Sequence, residues 1–288
     1  MNQQHPTPEQ QAEIEQSQTR ILGRREFMTM LIGGGASFAL AAALGQPLDN
    51  YITPAIQRLM NGPVDPQAES PYRWGMVIDL SKCVGCDYCV YACQATNDVP
   101  DDMRWNIRVD DVTPTGNVYH VTRPCLHCNN APCVSVCPVG ATYNRPDGLV
   151  VMDYDICIGC RYCQTACPYG ARQFNWEARL DETEQVATVP EFGRPEVPRR
   201  PRGVVEKCTF CIHRIDAGLE NGLTPGVDPA ATPACVNICP TTARYFGNLK
   251  DPDSQVSQII RDNPTLRLRE DLGTDPNVYY IPAEGMVI

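Results

Sequence analysis

Apolar residues are unevenly spread along the chain. Residues 1–22 are polar and mixed in charge, with no hydrophobic period, and predict an unstructured leader. A run rich in glycine and alanine follows from Met30 to Leu44, and residues 46–71 read as a linker containing Pro, Gln and Asn. Beyond the linker the apolar stretches are short. Trp74–Leu80 predicts a strand, and Ala141–Asn144 with Leu149–Asp153, on either side of Asp147-Gly148, predict a hairpin. Arg244–Gly247 predicts another strand, Asp253–Asp262 a helix, and Asn277 to Pro282 an extended tail. Residues 94–124 and 168–207 lack such signals and read as insertions. No stretch after the leader is long and apolar enough to span a bilayer by itself.

Composition sharpens this picture. With 26 prolines, 21 glycines, six phenylalanines and three tryptophans in 288 residues, the body is loop-rich and its apolar core thin. Such a body needs staples. The formal net charge of −10 argues against binding nucleic acid or an anionic membrane surface by bulk electrostatics. There are sixteen cysteines, and all fall in four runs.

The third run is Cys157-Ile-Gly-Cys160-Arg-Tyr-Cys163-Gln-Thr-Ala-Cys167-Pro168, the C-x2-C-x2-C-x3-C-P spacing that holds iron–sulfur clusters in bacterial ferredoxins. Gly159 lets the loop fold tightly, so three thiolates converge on one cluster. Cys167 lies one helical turn further on, roughly 6 Å at 1.5 Å per residue, and reaches a second cluster. Pro168 ends the short helix. The first run, Cys83-Val-Gly-Cys86-Asp-Tyr-Cys89-Val-Tyr-Ala-Cys93, matches it except that Gln94 replaces the proline. The second run is Cys125-Leu-His-Cys128 and Cys133-Val-Ser-Val-Cys137-Pro138; the fourth is Cys208-Thr-Phe-Cys211 and, after 23 residues, Cys235-Val-Asn-Ile-Cys239-Pro240. Runs one and three are alike, as are two and four, so the chain contains an internal duplication.

Disulfides do not call for repeated C-x2-C-x2-C spacing followed by proline, and paired zinc knuckles leave the third cysteine of runs one and three unexplained. Four [4Fe-4S] clusters use every cysteine. By the ferredoxin rule the fourth cysteine of a run serves the partner cluster. Runs two and three are close in sequence and joined by the predicted hairpin, and they pair: Cys125, Cys128, Cys133 and Cys167 hold one cluster, and Cys137, Cys157, Cys160 and Cys163 another. Runs one and four pair by elimination. Cys83, Cys86, Cys89 and Cys239 hold a third cluster, and Cys93, Cys208, Cys211 and Cys235 the fourth. The expected fold is α+β and loop-rich: two interleaved bacterial-ferredoxin-like modules within residues 72–250, with a C-terminal helix and docking tail over 251–288.

Other residues near the cysteines carry weaker expectations. Lys82 and Lys207 precede ligand positions, where they either raise local potentials or are ordinary solvated lysines. Arg199, Arg200, Arg202 and Arg214 form a basic patch that reads as a solvated loop or a dock for an acidic partner. His127 and His213 read as structural, Tyr88 and Tyr162 as aromatic shields of clusters. The tail at Tyr279-Tyr280-Ile281 packs on its own body or on a partner. No catalytic constellation stands outside the cysteines.

Within residues 1–45, Arg24-Arg25-Glu26-Phe27 ahead of the mild apolar run resembles a twin-arginine export signal, though Gly23 and Thr29 depart from the usual pattern. Ala39-Leu40-Ala41 and Ala41-Ala42-Ala43 are candidate cleavage sites, an uncleaved anchor being the alternative. That route carries proteins already folded around their cofactors and implies the periplasmic face of the cytoplasmic membrane. The four runs, their order, the insertion in the fourth and Pro-Arg-Gly-Val-Val-Glu-Lys-Cys208-Thr-Phe-Cys211-Ile-His-Arg together resemble the four-cluster electron-transfer subunit of DMSO reductase-type molybdoenzyme complexes. Exported polysulfide, thiosulfate and tetrathionate reductase-like subunits are the nearest branch. The resemblance covers residues 72–285. It implies a non-catalytic relay between a molybdopterin (bis-MGD) catalytic subunit and a multi-helix membrane quinone subunit of the polysulfide-reductase type, with the run one/four pair facing the former. The same relay could instead serve a hydrogenase or a molybdenum-free quinone–cytochrome complex.

Overall fold

The structure, a computed structural model, describes residues 69–176 and 195–286. The leader, the paired-arginine segment, nearly all of the linker and part of the second insertion lie outside the described residues, as do the expectations placed on them.

Strand β1 (Trp74–Asp79) is buried along its whole length. It lies between β8 (Arg244–Asn248), antiparallel, and β9 (Val278–Ile281), parallel. A strand covered on both faces must be apolar nearly throughout, which accounts for the run Trp-Gly-Met-Val-Ile. Trp74, Met76 and Ile78 enter the main core with Phe246, Val278 and Tyr280. Val77 faces the other way, into a small cluster with Tyr245 and Val256 of helix α6 (Gln255–Asp262). Each large apolar side chain so buried contributes roughly 1.5–3 kcal/mol. The tail therefore packs on its own body: β9 completes this sheet, and Asn277 just before it donates to the carbonyl of His127 at 2.7 Å.

The predicted hairpin is present as β4 (Thr142–Asn144) and β5 (Val150–Met152). Its turn is tied down from two sides. Trp74 Nε1 donates to Asp147 at 3.1 Å, and Arg145 donates to both Asp147 and Asp216 of helix α4 (Ile212–Glu220). The first insertion is more ordered than its sequence suggested, because β2 (Ile107–Val112) and β3 (Val118–Arg123) form a second hairpin around Gly116. Two short strands, β6 (Gln173–Phe174) and β7 (Val205–Glu206), pair across the second insertion.

The remaining helices start at or beside the cysteines. They are α1 (Tyr88–Asn97), α2 (Pro132–Ser135), α3 (Tyr162–Ala166) and α5 (Ala234–Asn237). Helix α1 packs on α5 and α2 on α3, so run one lies against run four and run two against run three. Among the described residues no helix is long and apolar enough to cross a membrane.

Candidate metal centres

Runs one and three fold the same way. Gly85 and Gly159 have φ of 68° and 67°, and the residues two further on, Asp87 and Arg161, have φ of 61° and 63° before α1 and α3 begin. Two left-handed residues in three turn the loop sharply enough to bring its cysteines to one side. Gly159 has a further reason to lack a side chain, since a Cβ there would overlap the carbonyl oxygen of Gly203.

These turns gather the sixteen thiols into four quartets. Cys125, Cys128, Cys133 and Cys167 line one cavity; Cys137, Cys157, Cys160 and Cys163 line a second; Cys83, Cys86, Cys89 and Cys239 line a third. Cys93, Cys208, Cys211 and Cys235 are all buried, and the last three lie close enough to Cys93 for their charges to act on it. Among the described residues no three His, Cys, Asp or Glu side chains converge on a point as ligands of one ion. The lined quartets surround voids, a shape that fits a polynuclear group.

Successive quartets are neighbours: Cys89 of the third cavity lies near enough to Cys235 for charge on one to be felt by the other, as do Cys208 and Cys125, and Cys133 and Cys163, so the four form a row in this sense. Each end of the row reaches the surface, where Cys86 and Cys160 are exposed; the thiols of the Cys93 quartet are all buried.

All-thiol donors suit a soft metal or an iron–sulfur cluster. Burial pushes the Cys128 and Cys235 thiols up to about 12, and neighbouring thiols add to the shift. Buried thiolates are unstable without cations beside them, and metal replaces their protons. Backbone amides already point at sulfur: Ala243 N–H at Cys239 Sγ, 3.3 Å, and Phe210 N–H at Cys208 Sγ, 3.5 Å. When bound, iron–sulfur clusters supply one-electron redox chemistry tuned by hydrogen bonds to sulfur, net charge and solvent exposure.

Comparison with known proteins agrees with this chemistry. Two overlapping matches to models of the 4Fe-4S dicluster domain cover residues 117–186 and 156–243. The iron–sulfur subunit of a dimethyl sulfoxide reductase named in Halobacterium salinarum is 48% identical, over 73% of this chain and 79% of that one. A subunit of the selenate reductase of Mesobacillus selenatarsenatis is 40% identical, over 73% and 72%. The Hdr-like menaquinol oxidoreductase iron–sulfur subunit 1 of Archaeoglobus fulgidus is 36% identical, over 92% and 100%. The chain belongs to the iron–sulfur subunit family of DMSO reductase-type complexes. It is an electron-transfer subunit of an oxidoreductase complex and not a catalytic one.

Several residues of this iron–sulfur subunit sit differently from their sequence expectation. Tyr88 and Tyr162 are 53% and 64% exposed and line none of the three cavities. Each opens a helix immediately after a left-handed residue. Lys207 is fully buried, its ammonium donating to the carbonyls of Val150 and Cys208; Lys82 is a surface residue bonded to Tyr245 and Asp79. The basic patch is largely neutralised. Arg199 pairs with Asp98, Arg200 with Glu206 beneath Trp105, and Arg214 with Glu196. His127 is buried against Phe210, ring centroids 3.9 Å apart, and its Nδ1 accepts from Val150 N–H. Burial and then Lys207 hold it well below the usual histidine range, so it is neutral. His213 bonds Glu196 at the surface.

Gln94, the departure from proline in run one, now has a reason. Without proline α1 runs on to Asn97, whose Nδ2 donates to the Cys93 carbonyl at 2.9 Å and lies 3.8 Å from both Cys93 Sγ and Cys211 Sγ. Two further residues escaped the sequence reading, Arg172 and Arg244. Both are buried beside thiols, and a repeat, Cys167-Pro-Tyr-Gly-Ala-Arg172 and Cys239-Pro-Thr-Thr-Ala-Arg244, would have marked them.

Proposed function

We propose that each quartet holds one [4Fe-4S] cluster, with the ligands grouped as the cavities group them, in two interleaved ferredoxin-like modules. The observation that carries this reading is the series of four neighbouring thiol quartets, with an exposed cysteine in each end quartet and every thiol of the middle two buried except the half-buried Cys167. A row open at both ends suits a relay that takes electrons from one partner and delivers them to another. The partners proposed are a molybdopterin (bis-MGD) catalytic subunit at the Cys86 end and a membrane quinone subunit at the Cys160 end. The complex lies on the periplasmic face of the cytoplasmic membrane, exported by the twin-arginine route, and the chain joins the membrane through its partners or an uncleaved leader.

A second reading keeps the relay and changes the machine. The alternative is a molybdenum-free quinone–cytochrome complex, and the 36% identity to a menaquinol oxidoreductase subunit across 92% of this chain supports its quinone part. Elemental analysis of the complex, purified gently from native membranes through a tag on this chain, separates the two. Molybdenum or tungsten near one atom per chain is the expected result. Iron-rich complex without either metal would favour the quinone complex, and nickel in it a hydrogenase.

A further inference from the structure

Arg172 and Arg244 are among the most deeply buried side chains of the protein, 1% and 3% exposed. A buried guanidinium normally sits against a carboxylate. Among the described residues neither has one. Arg172 Nη1 donates to Thr142 Oγ1 at 3.1 Å and approaches Met152 Sδ, while its Nε and Nη2 meet no oxygen or nitrogen partner among the described residues. Arg244 Nη2 donates to Asn106 Oδ1 at 3.0 Å, and Nη1 lies 3.5 Å from Cys235 Sγ and 3.6 Å from Met76 Sδ. These partners are neutral or sulfur, so the charge of each arginine is left for something else.

What faces them is thiol, and from two quartets each. Arg172 lines the Cys125 cavity and is acted on by Cys133 and Cys125 of that quartet and by Cys163 of the next. Arg244 lines the Cys83 cavity and is acted on by Cys89 and Cys239 there and by Cys235 of its neighbour. Each arginine lies five residues after the last cysteine of its run. At the same offset the other two runs have Thr142 and Asp98, so the duplication keeps one arginine per pair of quartets. Thr142 is moreover the residue that holds Arg172 in place.

We propose that Arg244 and Arg172 are positioning charges of the relay. Each sits at the junction of two successive clusters, compensating their negative charge and raising the reduction potentials of both. The proposal rests on the reading that the quartets hold clusters. A fixed cation close to both members of a pair favours the more negative, reduced form of each, and the protein interior screens it little. The orphaned Nε–H and Nη2–H of Arg172 are donors for cluster sulfur.

The test is an EPR-monitored redox titration of the anaerobically purified complex carrying Arg244→Gln, Arg172→Gln, or the corresponding lysine variants. Signals of the run two/three pair are assigned with Cys163→Ser. Arg244→Gln should lower the reduced-to-oxidised ratio of the run one/four clusters at least tenfold at fixed ambient potential, which is 59 mV for one electron. The run two/three signals should stay within twofold, and Arg172→Gln should give the converse pattern. Lysine at either position should recover most of the shift, which a merely structural role would not require. Unmoved potentials in variants with full iron content would overturn the proposal, as would equal shifts in all four signals or lysine variants no better than glutamine ones. Iron-free wild-type protein would overturn the cluster reading itself, a result distinct from all of these.

Discussion

The two halves of the duplication use the same cysteine spacing and bury it differently. The run one/four half has the three-stranded sheet and α6, and its helix α1 continues past Cys93 to Asn97. The run two/three half has only short strand pairs, and α3 ends at Ala166, before Cys167-Pro168. The main apolar core runs through both halves, Leu126, Leu149, Val150 and Tyr169 joining Trp74, Met76 and Phe246, but the run two/three half has less regular structure around its thiol quartets. The same ligand geometry does not require the same scaffold.

Removing the filler should have the largest effect. Anaerobic chelation of iron should abolish cooperative thermal unfolding, because burial leaves thiols such as Cys128 facing one another around voids. Calorimetry checks this, and an apo protein melting cooperatively near the holo temperature would show that both halves stand on their cores alone.

A swap at the helix ends comes next. Gln94→Pro breaks the last turn of α1 and should cost about 3 kcal/mol in denaturant unfolding. It should also disturb the cluster signal of the Cys93 quartet by moving Asn97. Pro168→Gln lies beyond the end of α3, where only chain stiffness is lost, and should cost about 0.4–1 kcal/mol. Equal costs would mean that the two helices end for the same reason.

The equivalent glycines sharpen the contrast. Alanine at either Gly85 or Gly159 is forced into a left-handed backbone, at roughly 1–3 kcal/mol. Gly159→Ala should lie at the top of that range, because it meets the backbone of Gly203. Gly85→Ala should lie at the bottom, because it meets the movable His120 ring 2.8 Å away. Chemical denaturation of both variants decides the order.

The cysteine runs, the β4–β5 hairpin, β1, β8 and α6 were legible because each is specified locally, by spacing, a turn or an apolar period. The β2–β3 hairpin was not. Val109, Val112 and Val118 are exposed and Asp110-Asp111 interrupt the pattern, so no buried face dictates alternation. The seat of β9 was open for another reason: its parallel partner β1 lies some two hundred residues earlier, and no local pattern records such a pairing. Lys207 looked like Lys82 because both precede a cysteine, and only the fold buries one and leaves the other in solvent. Arg172 and Arg244 were visible as a repeat, but their meaning depends on which cavities they line.

The smallest effect expected is one of pH, and it belongs to the run one/four half. Arg214, and after it His213, hold the Glu196 carboxyl below the usual range. A depressed carboxylate contributes stability that is full above its unfolded value, about pH 4.3, and is lost as pH falls through the lowered folded value. Melting temperature should therefore fall less steeply below about pH 4 in Glu196→Gln than in the wild type. The Glu196 N–H donates to the carbonyl of Thr96 in α1 at 2.9 Å, so parallel curves would mean that the cluster of Glu196, His213 and Arg214 contributes nothing to linking α1 with α4.

The claim on which everything else rests is that four four-iron clusters fill the four quartets. The direct measurement is iron and acid-labile sulfide per chain in anaerobically purified protein. Four [4Fe-4S] clusters predict about sixteen of each. About eight of each would leave one pair of quartets empty, and near-zero iron in fresh protein would contradict the account altogether.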